Sequence, residues 1–272
     1  MCKTLGVKRA NYYKWLHHEK STRDLENEKL ANYIIKYYKK YNQELGYRAM
    51  ADRINRDNNE HYNDKQVYKI MRILGLKSII RPKRYSCTVR KANNTAPNLL
   101  NRNFNATKPN EKWVTDVTEF KYGPKSEHKL YLSAILDLYD RSNVSYVLGD
   151  SNNNILVFDT FKKAIAANPD AHPLFHSDGG YQYTCPTFIK MLKDQEMVQS
   201  MSRVHCCIDN GPMEGFWGIL KRETYYGKRF TSKTDLINAI KSYIHYYNTE
   251  RIQRKLHLMT PVEYHENYYA AA

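Results

Sequence analysis

The chain has 272 residues, 42% of them hydrophobic, with a mean hydropathy of −0.75. That content supports a buried core, yet no apolar run reaches membrane-spanning length; the best, "YLSAILDLY", is broken by Asp137. The net charge is +15 and lies wholly in front: residues 1–110 hold 24 Lys and Arg against 9 Asp and Glu, whereas residues 111–272 hold 19 of each.

So complete a segregation points to a nucleic-acid-binding front joined to a neutral back half. The N-terminus lacks the apolar stretch of a secretory signal, so a cytoplasmic location is expected. The five cysteines (Cys2, Cys87, Cys185, Cys206 and Cys207) are scattered and include no Cys-x-x-Cys pair. Neither His17-His18 nor His205-Cys206-Cys207 has chelating spacing, so zinc and a disulfide scaffold are not expected.

In chain order, "ENEKLANYIIKYYKKYN" places Leu30, Ile34, Tyr37, Tyr38 and Tyr41 at the spacing of one helix face. Two shorter helices follow, "GYRAMADRINRDN" and "NDKQVYKIMRILGL", the second capped by Asn63 or Asp64 and stopped at Gly75. Its Val67, Ile70, Met71 and Leu74 turn inward, leaving Lys65, Gln66, Lys69 and Arg72 outward, with Arg81, Lys83 and Arg84 trailing. Residues 26–85 thus read as a helix-turn-helix-like, basic, DNA-binding domain. A small helical bundle with a solvated basic face is the plainer alternative, and the charge segregation favours DNA.

Residues 86–110 are rich in Asn, Thr and Pro and read as a linker, docked in part by Leu99, Leu100 and Phe104. From Trp113 the pattern is β-branched and aromatic. Strands are expected over "WVTDVTEFKY", "KLYLSAILDLY" and "SNVSYVLGD". A helix over "ILVFDTFKKAIAA", a strand over "HPLFHSD", a helix over "PTFIKMLKDQ" and a strand over "MVQSM" follow. The helices "PMEGFWGILKRETY" and "KTDLINAIKSYIHYYNTERI" come last. Such an order gives an α/β domain with a mixed sheet.

Three carboxylates stand out in this region. Asp116 falls in mid-strand, where an uncompensated charge is costly, although a sheet-end position, a threonine hydrogen bond or an ion pair would each account for it. Asp178 ends a strand, where open α/β sheets place ligands, and precedes two glycines thin enough for a phosphate or metal to approach. Glu214 follows Pro212; with Pro212 as the first helical residue, it could equally be a capping glutamate. If the three meet, they suit hard divalent cations such as Mg²⁺, two of which can drive an in-line displacement.

The strings "WVTDVTEF", "HSDGGYQYT" and "SMSR…DNGPMEGFWGILKRE" resemble the catalytic core of the DDE transposases in the retroviral-integrase superfamily. More narrowly, they resemble the second-reading-frame protein of the insertion-sequence group whose transposase is made from two overlapping frames. Asp178 and Glu214 are separated by 35 residues, the spacing of that group's acidic signature. "LGVKRANYYKWL" resembles its N-terminal helical segment, here residues 1–25, and "YIHYYNTERIQRKLHLMTPVEY" its C-terminal helical extension, here 231–272.

The resemblance implies an RNase H-like core over 111–230, with Asp116, Asp178 and Glu214 as catalytic residues and ligands of two Mg²⁺, or Mn²⁺ as substitute. It implies metal-dependent cleavage and strand transfer of insertion-sequence ends, attack coming first from water and then from a DNA 3′-hydroxyl. Lys221 is implied to hold terminal DNA, an exposed helix lysine being the plainer alternative; Glu223 lies half a turn off the Glu214 face and is not expected to be a ligand. Implied partners are double-stranded DNA (terminal inverted repeats and target), further copies of the chain on that DNA, and the first-frame protein, fused or separate. A bacterial, nucleoid-associated location follows. "VHCC" departs from the glycine-bearing segment expected before "DN", and the zinc-binding module of retroviral integrases is missing. Two other classes remain for test: a catalytically inactive DNA-binding regulator and a general RNase H-like nuclease.

Overall fold

A computed structural model gives the fold of residues 8–16, 21–79, 96–204 and 206–271. The chain divides into two compact units, Met1–Ile79 and Ile80–Ala272. Among the described residues, no helix is long and apolar enough to cross a membrane.

The first unit holds α1 (Arg9–Leu16), α2 (Thr22–Lys40), α3 (Tyr47–Asn58) and α4 (Asp64–Ile73). Helix α2 starts ahead of its apolar stripe because Ser21 and Asp24 form a reciprocal capping box. The Asn63 side chain accepts from the Lys65 N–H, making it the cap of α4, and Gly75 ends the turn beyond that helix at a φ of +68°. Leu30, Ile34, Tyr37, Val67, Ile70 and Met71 lie in the core, as the periodicity predicts, joined by Met50, Ala51 and Ile54 of α3; Tyr38, Tyr41 and Leu74 pack around it, partly buried.

The second unit is built on β1 (Lys112–Tyr122), β2 (His128–Asp137), β3 (Asn143–Gly149), β4 (Leu174–Ser177) and β5 (Val198–Met201), in the order β3-β2-β1-β4-β5. The first three strands are antiparallel neighbours, while β4 and β5 run parallel to β1. Helices α5 (Asn154–Ala167), α6 (Tyr181–Thr184) and α7 (Pro186–Asp194) contribute to one core with Trp113, Ile135 and Phe175. Helices α8 (Gly211–Leu220) and α9 (Lys233–Thr249) contribute to the other, with Val114, Leu130, Leu132 and Leu136. Alternate strand residues thus serve opposite faces. The chain ends in α10 (Pro261–Ala271). This is the expected mixed α/β fold, with the one-turn α6 as an unpredicted element.

The segment after residue 95 is bound to the sheet unit. Leu100 is buried and Phe104 packs beside it, but Leu99 is exposed, contrary to expectation. What fixes Leu99 is its backbone: the N–H groups of Leu99 and Leu100 both donate to Ser200 Oγ at 3.0 Å.

Candidate active site

Asp116 occupies a gap in the sheet. On one side it pairs with Ala134 of β2. On the other, β4 pairs only with residues 112–114 of β1 and ends at Ser177. Val114 is level with His176, so continuing that register by two residues sets Asp178 level with Asp116. Neighbouring strands lie about 4.7–4.9 Å apart, which brings the two acids to adjacent positions on one face. Both line a cavity of ≈ 350 Å³, together with Glu119, Lys129, Tyr131, Asn152, Gln182 and Tyr183.

Asp116 is half-buried, and its Oδ2 accepts a hydrogen bond of 3.0 Å from Trp217 Nε1. Burial and then the charge of Asp178 push its pKa up to about 7; the Val117 N–H and the Trp217 indole pull it down, and Glu214 adds to the rise. The buried Tyr183 hydroxyl is likewise pushed well up, by burial and then by Asp116 and Asp178. Asp178 Oδ1 accepts from the Gly180 N–H at 2.9 Å, and a Cβ on Gly180 would stand 2.9 Å from that oxygen. The second glycine therefore makes room for the acid's own carboxylate, a nearer cause than access for a DNA backbone.

Glu214 is half-buried in the first turn of α8 and acts electrostatically on Asp116. The helix begins at Gly211, so Glu214 is its fourth residue, and its carboxylate takes no hydrogen bond or ion pair among the described residues. Glu214 therefore makes no hydrogen-bonded cap, while its place in the first turn keeps it by the positive end of the helix dipole. The three acids gather at one region without closing on one another: among the described residues, no three His, Cys, Asp or Glu side chains are grouped tightly enough to hold a metal ion. The donor set is nonetheless all oxygen, and the Asp116 carboxyl, raised first by burial, is raised further by the charges of Asp178 and Glu214. Both features fit a hard divalent cation.

Lys221 lies two turns beyond Glu214 on the same face, with its ammonium 5.1 Å from the centre of the Phe120 ring. Burial pulls its pKa down, against the charges of Asp116 and Glu119, so it is not a freely exposed helix lysine. In the first unit, Lys65, Lys69 and Arg72 are exposed on α4. Gln66 is a correction: it is half-buried, and its amide donates to Asn27 Oδ1 of α2 at 3.4 Å, because its position borders the packed face. Tyr68 and Ile73 complete the outer face and were not anticipated. Arg81, Lys83 and Arg84 lie outside the described residues.

Sequence reasoning also missed two supports of the site. Asp209 is buried and accepts from Arg203 Nε (2.8 Å) and Nη2 (2.9 Å), Arg102 Nε (2.7 Å) and Asn98 Nδ2 (2.9 Å). The Arg203 bonds above all hold its carboxyl well below the usual range. The next residue, Asn210, donates to the Thr115 carbonyl at 2.9 Å, seating the start of α8 beside Asp116. Behind Asp178, His176 Nδ1 meets Ser200 Oγ and Nε2 meets Ser202 Oγ, at 2.9 and 3.1 Å. Ser200 Oγ already accepts two backbone bonds, so its proton goes to Nδ1 and the neutral imidazole donates from Nε2. Burial, opposed by Asp209, lowers the His176 pKa to about 4, keeping it neutral.

Residues 106–207 match the Integrase core domain family, 214–268 a second Integrase core domain family, and 24–84 an HTH-like domain family. The chain is 40% identical over 237 residues, 87% of its length and 82% of the relative's, to the putative transposase InsK for insertion sequence element IS150 of Escherichia coli K12. It is 32% identical, over the full length of both chains, to the insertion element IS600 uncharacterized 31 kDa protein of Shigella sonnei. Among solved structures it resembles the simian T-cell lymphotropic virus intasome, described in complex with PP2A regulatory subunit B56 gamma. The TM-score is 0.51 and the identity 16%, covering 85% of this chain and 74% of that one. Sheet order, flanking helices and family matches together define an integrase-core protein with an HTH-like domain in front.

Within that class the chain belongs to the insertion-sequence transposases, in the group that includes the IS150 and IS3 proteins. It is a DNA transposase of the polynucleotidyl-transferase type.

Proposed function

We propose that Asp116, Asp178 and Glu214 are the catalytic carboxylates of this transposase, and that together they hold two Mg²⁺ ions, or Mn²⁺ in their place. When bound, such a pair of ions activates the attacking oxygen and steadies the leaving one in an in-line displacement. The observation that carries the reading is the raised carboxyl of Asp116, pushed up by its burial, by Asp178 across the cleft and by Glu214. A cluster of acids that strains against its own charge is ordered for a cation. The chain's own part is positioning: the Trp217 indole aims Asp116, the Gly180 N–H aims Asp178, and the Asn210–Thr115 bond sets the helix that carries Glu214. The attacking oxygen is water in the cleavage step and a DNA 3′-hydroxyl in the joining step; in each, one P–O bond forms as the opposite one breaks.

The partner is double-stranded DNA, as element ends and as target. Lys221 serves as a phosphate contact beside the cleft, and Lys65, Lys69 and Arg72 as the outer face of the front domain. We assign the domains as residues 1–25, 26–85, 86–110, 111–230 and 231–272, in the roles expected above. The active assembly is a homo-oligomer on DNA, working with the upstream first-frame protein as a fusion or a separate chain. The deciding experiment is strand transfer on short duplexes carrying element ends, with Mg²⁺ and with EDTA. Asp116→Asn should abolish end cleavage and leave DNA binding largely intact; a variant that cleaves at the wild-type rate rules out the assignment. Cleavage of RNA–DNA hybrids without joined products would favour a general nuclease.

A further inference from the structure

The catalytic helix changes its winding just after the site. Helix α8 is regular to Leu220, and Lys221–Tyr225 then form a π turn, closed by the Tyr226 N–H donating to the Lys221 carbonyl at 2.7 Å. Single π turns inside helices occur frequently at functional sites. Two side chains of this turn are anchored. The Tyr225 hydroxyl donates to the Lys121 carbonyl (2.8 Å) and accepts from the Lys121 N–H (3.0 Å), on a stretch of β1 that β4 does not reach. Its ring packs edge-on against Phe120 at 5.2 Å, the ring that carries the Lys221 ammonium.

The other anchor is Glu223. Its Oε2 accepts from the Tyr243 hydroxyl (2.8 Å) and from Arg251 Nε (3.1 Å), and its Oε1 accepts from Arg251 Nη2 (2.9 Å). The result is a two-pronged, largely buried ion pair joining the π turn to α9 and the segment just after it. A buried ion pair is roughly neutral for stability against apolar side chains of the same volume. What it does supply is a fixed geometry.

We propose that the Glu223–Arg251 pair is a positioning device for Lys221: it holds the π turn from behind and so fixes where the amine meets DNA beside Asp116. Glu223 and Arg251 touch neither DNA nor the reacting atoms; they act through the turn. This inference rests on the reading of Lys221 as a phosphate contact.

The test is binding of the full chain to a short duplex carrying one element end, measured across a salt series, with melting temperatures recorded in parallel. Lys221→Ala should weaken binding by about tenfold, the size of one charge-assisted contact, and reduce the slope of log affinity against log salt by about 0.9. Glu223→Gln should reproduce both effects, and the double variant should be no worse than Lys221→Ala alone. A purely structural role would lower the melting temperature and leave the salt slope untouched. Should Glu223→Gln fold poorly, Tyr243→Phe removes one of the three donors, keeps the charges, and should give a smaller change in the same direction. If Lys221→Ala binds normally, the phosphate reading falls and the positioning role with it. If Lys221→Ala weakens binding but Glu223→Gln keeps the wild-type slope, or the two effects add, only the positioning role is overturned.

Discussion

Trp217→Phe removes one hydrogen bond from the site and keeps most of the buried ring. The indole N–H donates to Asp116 Oδ2 at 3.0 Å and favours the ionised carboxylate, whose pKa stands at about 7. A hydrogen bond to a charged group is worth about 1.5–3 kcal/mol. At about 1.4 kcal/mol per pH unit, the low end of that range moves the Asp116 pKa up by about one unit. At pH 7 the wild-type carboxyl is about half ionised, and the variant about one-tenth. Metal binding must displace the remaining proton, so Mg²⁺ affinity at pH 7 should fall by about fivefold and recover almost fully by about pH 9. Loss of the bond itself cancels, because the ionised metal-free form and the metal-bound form both lose it. The assay is a Mg²⁺ titration of the intact protein at several pH values, alongside ¹³C titration of the Asp116 carboxyl and a melting curve to show the fold is kept. If Trp217→Phe weakens Mg²⁺ equally at pH 7 and pH 9, the indole acts through packing and the electrostatic reasoning fails.

Gly180→Ala places a methyl 2.9 Å from Asp178 Oδ1 and 3.1 Å from Gln182 Oε1. Displacing a reacting group by about 1 Å can cost about 10²-fold, so strand transfer should fall by that order while the melting temperature changes little; an unchanged rate would show that Asp178 is not held by this turn. Asp209→Asn keeps the shape of its site but removes the charge that holds Arg203 and Arg102. Because the folded pKa of Asp209 is depressed, its contribution is present above the unfolded carboxyl range and disappears as pH falls toward the folded value. Thermal melts should therefore show the variant less stable than the wild type at pH 7, with the gap narrowing in strong acid. A gap that widens on acidification would contradict this sign.

How much of the site could be read from the residue string depended on the range of the interactions. Strand alternation from Trp113 onward and the helix stripe of Leu30, Ile34 and Tyr37 are local patterns, and both are found in the fold. Of the three acids, only Asp116 breaks a local rule, as a charge in mid-strand; Asp178 before glycines and Glu214 after Pro212 each fit ordinary turn and capping chemistry, and the 35-residue spacing and the strings around them are what mark all three. The residues that support them break none. Trp217 sits on an apolar helix face and reads as core, which it also is. Asp209 is joined to Asn98 and Arg102 across 111 and 107 positions, a distance no local pattern can report. "KRETY" continues the helical spacing, so the π turn leaves no mark until Glu223 is seen facing Arg251.

The same division explains how the fold tolerates crowded acids. Burial, and then the charge of Asp178, raise the Asp116 carboxyl to about 7, and within β1 the Val117 N–H offsets only part of that. Further compensation comes from other elements: an indole from α8, an N–H of the turn before α6, and an amide at Asn210 that ties the Glu214 helix to Thr115. Asn210 in turn follows Asp209, to which Arg102 and Asn98 fasten the incoming chain. The acids are therefore kept close by contacts from behind and to the side, and the cleft face of the cluster is open to the cavity. A cation entering there meets Asp116 and Asp178 from the cavity side, with the Trp217 and Gly180 bonds already aiming the two carboxylates, and this is the arrangement a metal-dependent strand transferase requires.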